Sequence, residues 1–445
     1  MILTSRAAAP TSTFSSLRTR NFRLFASGQL VSYTGMWVQR IAQDWLVLSI
    51  TGSPTAVGIT TALQFLPTLL FGLIGGAIAD RYPKRRVLLA TQVGMSAMAA
   101  ALAVLTLSHQ VQVWHVFLIA FGLGTVTAVE NPTRQSFVNE MVGPEQLRNA
   151  ISINASVFQL GAMIGPAISG VLINAVGSGY AFTINALSYT ASTTALLMMR
   201  ERELNGPPSA ATRGARLRDG LRYVARHRDV LWPTVLAGVF GMFCINLPVT
   251  LAAYAKNVFH SGASGYGMLS SVVALGSLTG ALISARRTRT RLRTLVTIAG
   301  TLAGVQMIAA LAPGEWSYCI ALLAVGAATL LFLTAANSTV QLAADDSIRG
   351  RVMGVYLLVF IGSGALGGPL LGWFDENLGP RTGMLLSGAI PAVATVLVAL
   401  KLAGADRRRV PGARVRRALT VLAAQRALYR WAAKTELVAA ARQCA

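Results

Sequence analysis

Gly76-Ala77-Ile78-Ala79-Asp80-Arg81-Tyr82-Pro83-Lys84-Arg85-Arg86 closes one apolar run of membrane-spanning length and opens the next, Val87 to Leu107. One acid and four bases crowded into so tight a turn are costly to place near lipid. Such charges stay in the cytoplasmic headgroup region, so this loop is expected to fix the orientation of its neighbours.

Working outward, the chain is 445 residues long, 53% hydrophobic and only 12% charged, with a mean hydropathy of +0.55. Soluble domains are not so apolar and so poor in charge. A helix needs roughly 20 apolar residues to cross the ~30 Å hydrocarbon core. About twelve runs of that kind are expected: 23–50, 55–79, 87–107, 113–133, 150–174, 179–199, 232–255, 265–285, 294–312, 316–340, 352–373 and 382–402. The first is the least apolar, holding Gln29, Gln39, Arg40, Gln43 and Asp44. No run has the short alternation of a membrane barrel strand. The fold class expected is an all-α membrane protein.

A net charge of +23 would fit nucleic-acid binding, but its distribution argues for membrane topology. Nearly all of the 39 Lys and Arg fall in the N-terminal segment, the even-to-odd connections and the C-terminal tail; Arg40, Lys256 and Arg381 are the exceptions. The opposite loops are short and almost uncharged, as in Thr51-Gly52-Ser53-Pro54. That asymmetry is the positive-inside pattern, and an even number of spans places both termini in the cytoplasm of an inner-membrane protein. Met1 to Arg23 lacks an apolar core and is not expected to be a cleavable signal peptide.

Two halves are legible. The polar stretch 200–231 separates a six-helix bundle over 23–199 from a second over 232–402; segment 1–22 precedes them and a basic tail, 403–445, follows. Glu145-Gln146-Leu147-Arg148 before span 5 is echoed by Asp346-Ser347-Ile348-Arg349 before span 11. Gly165-Pro166 inside span 5 is echoed by Gly368-Pro369 inside span 11, and the loop after span 2 has a weaker partner between Gly280 and Arg293.

With these motifs in place, the chain resembles the major facilitator superfamily from about Leu17 to Leu402. Gly76, Asp80, Arg81, Lys84 and Arg85 match its signature loop, with Pro83 where glycine is usual and Lys84 where arginine is usual. Gly161, Gly165, Pro166 and Gly170 match the exporters' span 5 motif, with Ser169 replacing the first of the terminal glycine pair. Asn131-Pro132-Thr133-Arg134-Gln135, Asn149-Ala150, Asn185-Ala186-Leu187-Ser188 and Arg349-Gly350-Arg351-Val352-Met353 are similar to the enterobactin-exporter-like, transmembrane secretion effector branch. The resemblance implies two parallel six-helix pseudo-repeats with a midplane site between them. It also implies alternating access and export of a small molecule in exchange for protons. For Asp80 it implies a latch that holds one conformational state.

Ionisable groups inside spans are functional candidates by default. Arg40 and Asp44 lie four apart on span 1 and so share a helical face. They read either as a protonatable carboxylate whose pairing changes as the halves rock, or as a static buried pair. Glu130 and Arg134 repeat the spacing near the end of span 4, with Pro132 between them expected to loosen the helix. They read as a proton relay, or Glu130 meets Arg81 or Lys84 in the latch. Gln43, Gln64, Gln159, Asn246 and Asn337, with Tyr254 and Tyr356, are candidates for a polar substrate cavity. Each also reads as an ordinary interhelical hydrogen bond.

Other signals carry less. Gly362-Ser363-Gly364-Ala365-Leu366-Gly367 spells a dinucleotide fingerprint but lies inside span 11, where it reads as helix packing. No phosphate-binding Gly-x4-Gly-Lys-Ser/Thr loop, zinc-binding His-Glu-x-x-His or nucleophile elbow occurs. The three cysteines and four histidines have no ligand spacing. No ATP, metal, cofactor or nucleic acid is expected, and no enzyme; the partners expected are a small-molecule substrate, protons and the lipid bilayer. The tail reads as an interfacial helix on anionic lipid or as disordered. An importer, or a non-transporting membrane scaffold or sensor, remains an alternative reading.

Overall fold

In the computed structural model the described residues are 15–204, 217–285, 292–345 and 348–403. The expected tail beyond Ala403, most of segment 1–22, the centre of the basic linker and part of the connection after Gly280 lie outside them.

Twelve long helices carry the expected spans. They are α1 (Arg20–Thr51), α2 (Pro54–Arg81), α3 (Lys84–Leu107), α4 (Val113–Gly143), α5 (Glu145–Val176) and α6 (Ser178–Leu197). After them come α7 (Arg228–Asn257), α8 (Gly262–Ala285), α9 (Leu292–Ala310), α10 (Glu315–Ala343), α11 (Arg349–Asn377) and α12 (Pro380–Ala403). A short helix, Leu217–Arg226, sits in the linker. Among the described residues there is no strand.

Ten of the twelve are long and apolar enough to cross a membrane by length and composition; α1 and α6 are not among them. The reason is that these two satisfy each other. Asn185 Nδ2 of α6 donates to Gln39 Oε1 of α1 at 2.6 Å, and Gln29 Nε2 donates to Ser192 Oγ at 3.3 Å. A β-carbon on Gly28 would lie 2.8 Å from Ala195 Cβ, so the two backbones meet closely enough for those side chains to reach. Polar groups paired between helices do not face lipid, and hydropathy counted along one helix misses that.

The connection between spans 4 and 5 differs from the expectation of a polar loop over 134–149. Both helices extend through it and break only at Gly143, whose φ of 68° and ψ of 173° are left-handed and open to glycine. Helix α4 also runs through Pro132 uninterrupted. The helix α7 breaks instead at Asn246, between Arg228–Cys244 and Leu247–Asn257.

The halves meet along two crossings, α2 on α11 and α5 on α8. A β-carbon on Gly58 would overlap the Gly368 carbonyl. One on Gly267 would sit 2.5 Å from the Pro166 carbonyl and 2.8 Å from Gly170 Cα. At each crossing a glycine of one half meets the backbone of the other half's Gly-Pro segment, Gly58 at Gly368 and Gly267 at Pro166.

Candidate functional site at the interface of the two halves

Helix α1 brings the buried polar groups to this interface. Asp44 is buried, at 1% exposure, and its Oδ2 accepts a 2.9 Å hydrogen bond from the hydroxyl of Tyr266 on α8, so a carboxyl of one half is held by a phenol of the other. Trp45 stacks on the same Tyr266 ring, with centroids 6.5 Å apart. Asp44 Oδ1 has no hydrogen-bond partner.

Arg40 does not form the expected direct pair with Asp44. Its guanidinium lies over the rings of Trp37 and Phe65, 5.4 Å from each centroid, and among the described residues no carboxylate comes within ion-pair distance. Facing an aromatic quadrupole is the alternative a cation adopts when no carboxylate is aligned, and it contributes ~0.5–2 kcal/mol. The side chain next to Asp44, Gln43, is buried with its Nε2 unpartnered.

Deeper in the N-terminal half, Arg134 donates to Glu130 Oε1 at 3.0 Å and to Asn131 Oδ1 at 2.7 Å, and it stands 5.0 Å over the Tyr33 ring. Glu130 thus meets Arg134, and not Arg81 or Lys84. Lys84 is taken by Glu140, about two helical turns beyond the expected span, at 2.6 Å. Arg85 pairs with Glu201 and caps the end of α6 through the Leu196 and Leu197 carbonyls. Asp80 is exposed and makes no ion pair among the described residues, and Arg81 lies over its neighbour Tyr82. Gly76 has open space where a β-carbon would be; the close contact in this helix belongs to Gly75, against the Ala128 carbonyl.

The span 5 motif is divided between two neighbours. β-Carbons on Gly161 and Gly165 would meet Tyr33 Cβ at 3.0 Å and Trp37 Cβ at 2.5 Å on α1, whereas Pro166 and Gly170 face α8. Of the cavity candidates, Asn246 is a helix tie, donating to the Met242 and Gly364 carbonyls at 2.8 and 2.9 Å. Gln159 reaches across to the Ala274 carbonyl at 3.4 Å. Gln64 and Asn337 are half-buried and no hydrogen bond of theirs is seen among the described residues.

The bonds between halves are not evenly spread. Besides Asp44 with Tyr266, Ser53 Oγ and Thr55 N at the start of α2 donate to Glu376 at the end of α11, and Lys256 Nζ of α7 donates to the Leu48 carbonyl of α1 at 2.8 Å. All lie at the end away from Tyr82-Pro83. Toward the Tyr82-Pro83 end, Gln159 is the last such tie among the described residues, and Leu70, Leu73 and Ile74 of α2 stand exposed. Among the described residues, the hydrogen bonds between the halves thus gather toward one end.

Sequence reasoning missed Tyr266, Glu140, Asp375 and Glu376. The acids fell just past the apolar runs and read as loop charges, and Tyr266 read as an ordinary span residue. No metal-holding group of three or more His, Cys, Asp or Glu forms among the described residues.

Comparison with known proteins follows the same lines. Residues 11–421 match the family described as transmembrane secretion effector. The multidrug efflux pump Tap of Mycobacterium tuberculosis is 26% identical over 394 residues, covering 85% of this chain and 92% of that protein. The enterobactin exporter EntS of Citrobacter koseri is 23% identical, covering 88% and 94%. The staphyloferrin A transporter of Staphylococcus aureus is 26% identical, covering 59% and 66%. Among solved structures, a bacterial homolog of the human lysosomal transporter Spinster, inward-facing and unoccupied, matches with a TM-score of 0.69 at 15% identity, covering 88% of this chain and 98% of that one.

Proposed function

Since this chain belongs to the transmembrane secretion effector family of the major facilitator superfamily, we propose that it exports a small organic molecule across the inner membrane in exchange for protons. Both termini lie in the cytoplasm, so the end where the ties between halves gather faces outward and is read as closed, and the Tyr82-Pro83 end faces inward. The organisation into bundles 23–199 and 232–402 joined by linker 200–231 is part of this reading. No ATP is consumed and no chemistry is done on the substrate. The names of the relatives, an efflux pump and two siderophore transporters, support export and a substrate of drug or siderophore size.

One observation carries the reading: the Asp44 carboxyl is held by Tyr266 of the opposite half. Opening the outer end separates α1 from α8 and exposes that carboxyl to the outside. Closing it again buries the carboxyl, and a buried charge without a full set of partners is costly. A proton taken from outside removes the charge and favours closure. Neutral Asp44 keeps its acceptor oxygen for Tyr266, so the tie survives while the charge does not. The protein moves in the direction in which the proton binds better, and the free energy available is the difference in proton affinity between the two states.

Arg40, freed from a carboxylate and lying between Trp37 and Phe65, is placed to hold an acidic or aromatic part of the substrate, with Gln43, Gln64 and Gln159 as polar neighbours. The Glu130 and Arg134 pair keeps a second charge neutral deeper in the same half. Asp80 with Arg81 acts as the inner latch in the opposite state and is released here.

Untargeted mass spectrometry of cells and medium tests this, comparing a deletion strain with the same strain complemented. A compound trapped in the deleted cells and returned to the medium on complementation is the expected result. Loss of a compound from the deleted cells, restored on complementation, would make the protein an importer.

A further inference from the structure

We propose that Asp375, near the outward end of α11, is a second proton-binding site, and that its occupancy is tied to closure of the crossing between α2 and α11. It goes beyond the export reading, because it concerns a group in the C-terminal half that the Asp44 cycle does not use and needs no substrate.

The carboxyl of Asp375 is buried, at 2% exposure. Its Oδ2 accepts a 2.8 Å hydrogen bond from Thr250 Oγ1 of α7, and its Oδ1 has no partner. The elements packed around it bring no cation into an ion pair with it among the described residues. Helix α7 contributes Thr250 and the Tyr254 hydroxyl, and Lys256 beyond them is engaged by the Leu48 carbonyl. Helix α10 contributes Tyr318, whose ring stacks on Tyr254 with centroids 4.3 Å apart, and Glu315 in its first turn. Helix α12 contributes Gly383, where a β-carbon would overlap Asp375 Oδ1, and the exposed Arg381, which forms no ion pair among the described residues. Helix α2 meets this end of α11 at Gly372 through Pro54 and Thr55, which carry no charge.

No cation therefore answers this carboxylate, and both neighbouring phenol oxygens, Tyr254 and Tyr318, are themselves buried and unpartnered. An ionised carboxyl so placed is strongly disfavoured, whereas the acid form is neutral and turns an unanswered acceptor into a donor. Protonation is simple binding: one proton from the outward water, no bond broken elsewhere.

The tie to closure comes from the next residue. Asp375 points into the C-terminal half, and Glu376 reaches across to the start of α2 through Ser53 and Thr55. One turn earlier, a β-carbon on Gly372 would sit 2.5 Å from the Pro54 carbonyl. Parting α2 from α11 strips the cover from this end of α11 and admits water to Asp375. The proton then binds better when the crossing is closed, so acid outside favours the closed outer end, and closure raises proton affinity in return.

Infrared spectroscopy of the purified full-length protein in lipid nanodiscs, near neutral pH, tests this without any substrate. Asp375→Asn is expected to remove one protonated-carboxyl C=O stretch that Asp44→Asn leaves in place. Thr250→Val, which removes only the hydrogen bond, is expected to shift the same stretch and not abolish it; it also serves if Asp375→Asn fails to fold. A carboxyl region identical to wild type in whichever of the two variants folds would overturn the proposal. Loss of transport with these bands unchanged would leave the export reading standing and this one refuted.

Discussion

Tyr266 Oη and Asp44 Oδ2, 2.9 Å apart, join α8 to α1 across the boundary between the two halves, and among the described residues this is the one hydrogen bond there that ends on a buried carboxyl. Removing the donor and removing the charge should have different consequences. In Tyr266→Phe the carboxyl loses its cross-half partner, so the closed outer end is weakened by about 1–3 kcal/mol. In Asp44→Asn an acceptor remains and the end stays closed. A cysteine placed at Ala263, in a background without native cysteines, reports this: it reacts faster with an impermeant maleimide in the first variant only.

Gly58 and Gly267 are expected to be the steric limits of closure. Valine at either position meets a backbone carbonyl of the other half, and overpacking of this kind costs about 1–3 kcal/mol. Because the strain disappears when the halves part, the population shifts toward the outward-open state. The Ala263 cysteine should become reactive in both variants, while Gly76→Ala, with open space around it, leaves the labelling rate at its wild-type value.

Glu376 accepts from Ser53 and from the backbone of Thr55 at the exposed start of α2. Exposure weakens such a bond, so Glu376→Ala should destabilise the closed end by only about 1 kcal/mol, roughly a fivefold change in population. Glu376→Gln, which keeps an acceptor, should lose less. The same labelling rate orders the three proteins.

The Lys84–Glu140 pair lies wholly within the N-terminal half, with side chains 10% and 12% exposed. Breaking it leaves a largely buried charge, so Lys84→Ala should lower the thermal midpoint by the equivalent of about 2–4 kcal/mol while leaving the Ala263 labelling rate unchanged. Lys84→Ala combined with Glu140→Gln should recover part of that loss. A change in labelling without a change in stability would make Lys84 a gate residue instead.

The helical class, the approximate spans and the Gly-Pro repeat were legible because each rests on a local pattern: an apolar run, a charge asymmetry, a repeated dipeptide; that both Gly-Pro segments lie where the halves cross was not. The partners were not. Arg40 and Asp44 share a face of α1, yet Asp44 turns to Tyr266, 222 residues away in the chain, and Arg40 turns to Phe65. Which group a side chain meets depends on helix rotation and on how two distant helices cross. No spacing along one helix encodes that. Asp375 was passed over for a related reason. It follows the last apolar residues of its run, where an acid reads as a solvated loop charge, whereas α11 continues to Asn377 and buries it.

The central claim, that a proton binding at Asp44 drives export, is tested most directly in everted membrane vesicles with an acidified interior, using the compound that metabolite comparison identifies. Wild type should accumulate that compound and dissipate the pH gradient as it does so. Asp44→Asn, present at equal level in the membrane, should do neither while still letting the compound equilibrate down its own gradient. Gradient-driven accumulation by Asp44→Asn at the wild-type rate would contradict the account.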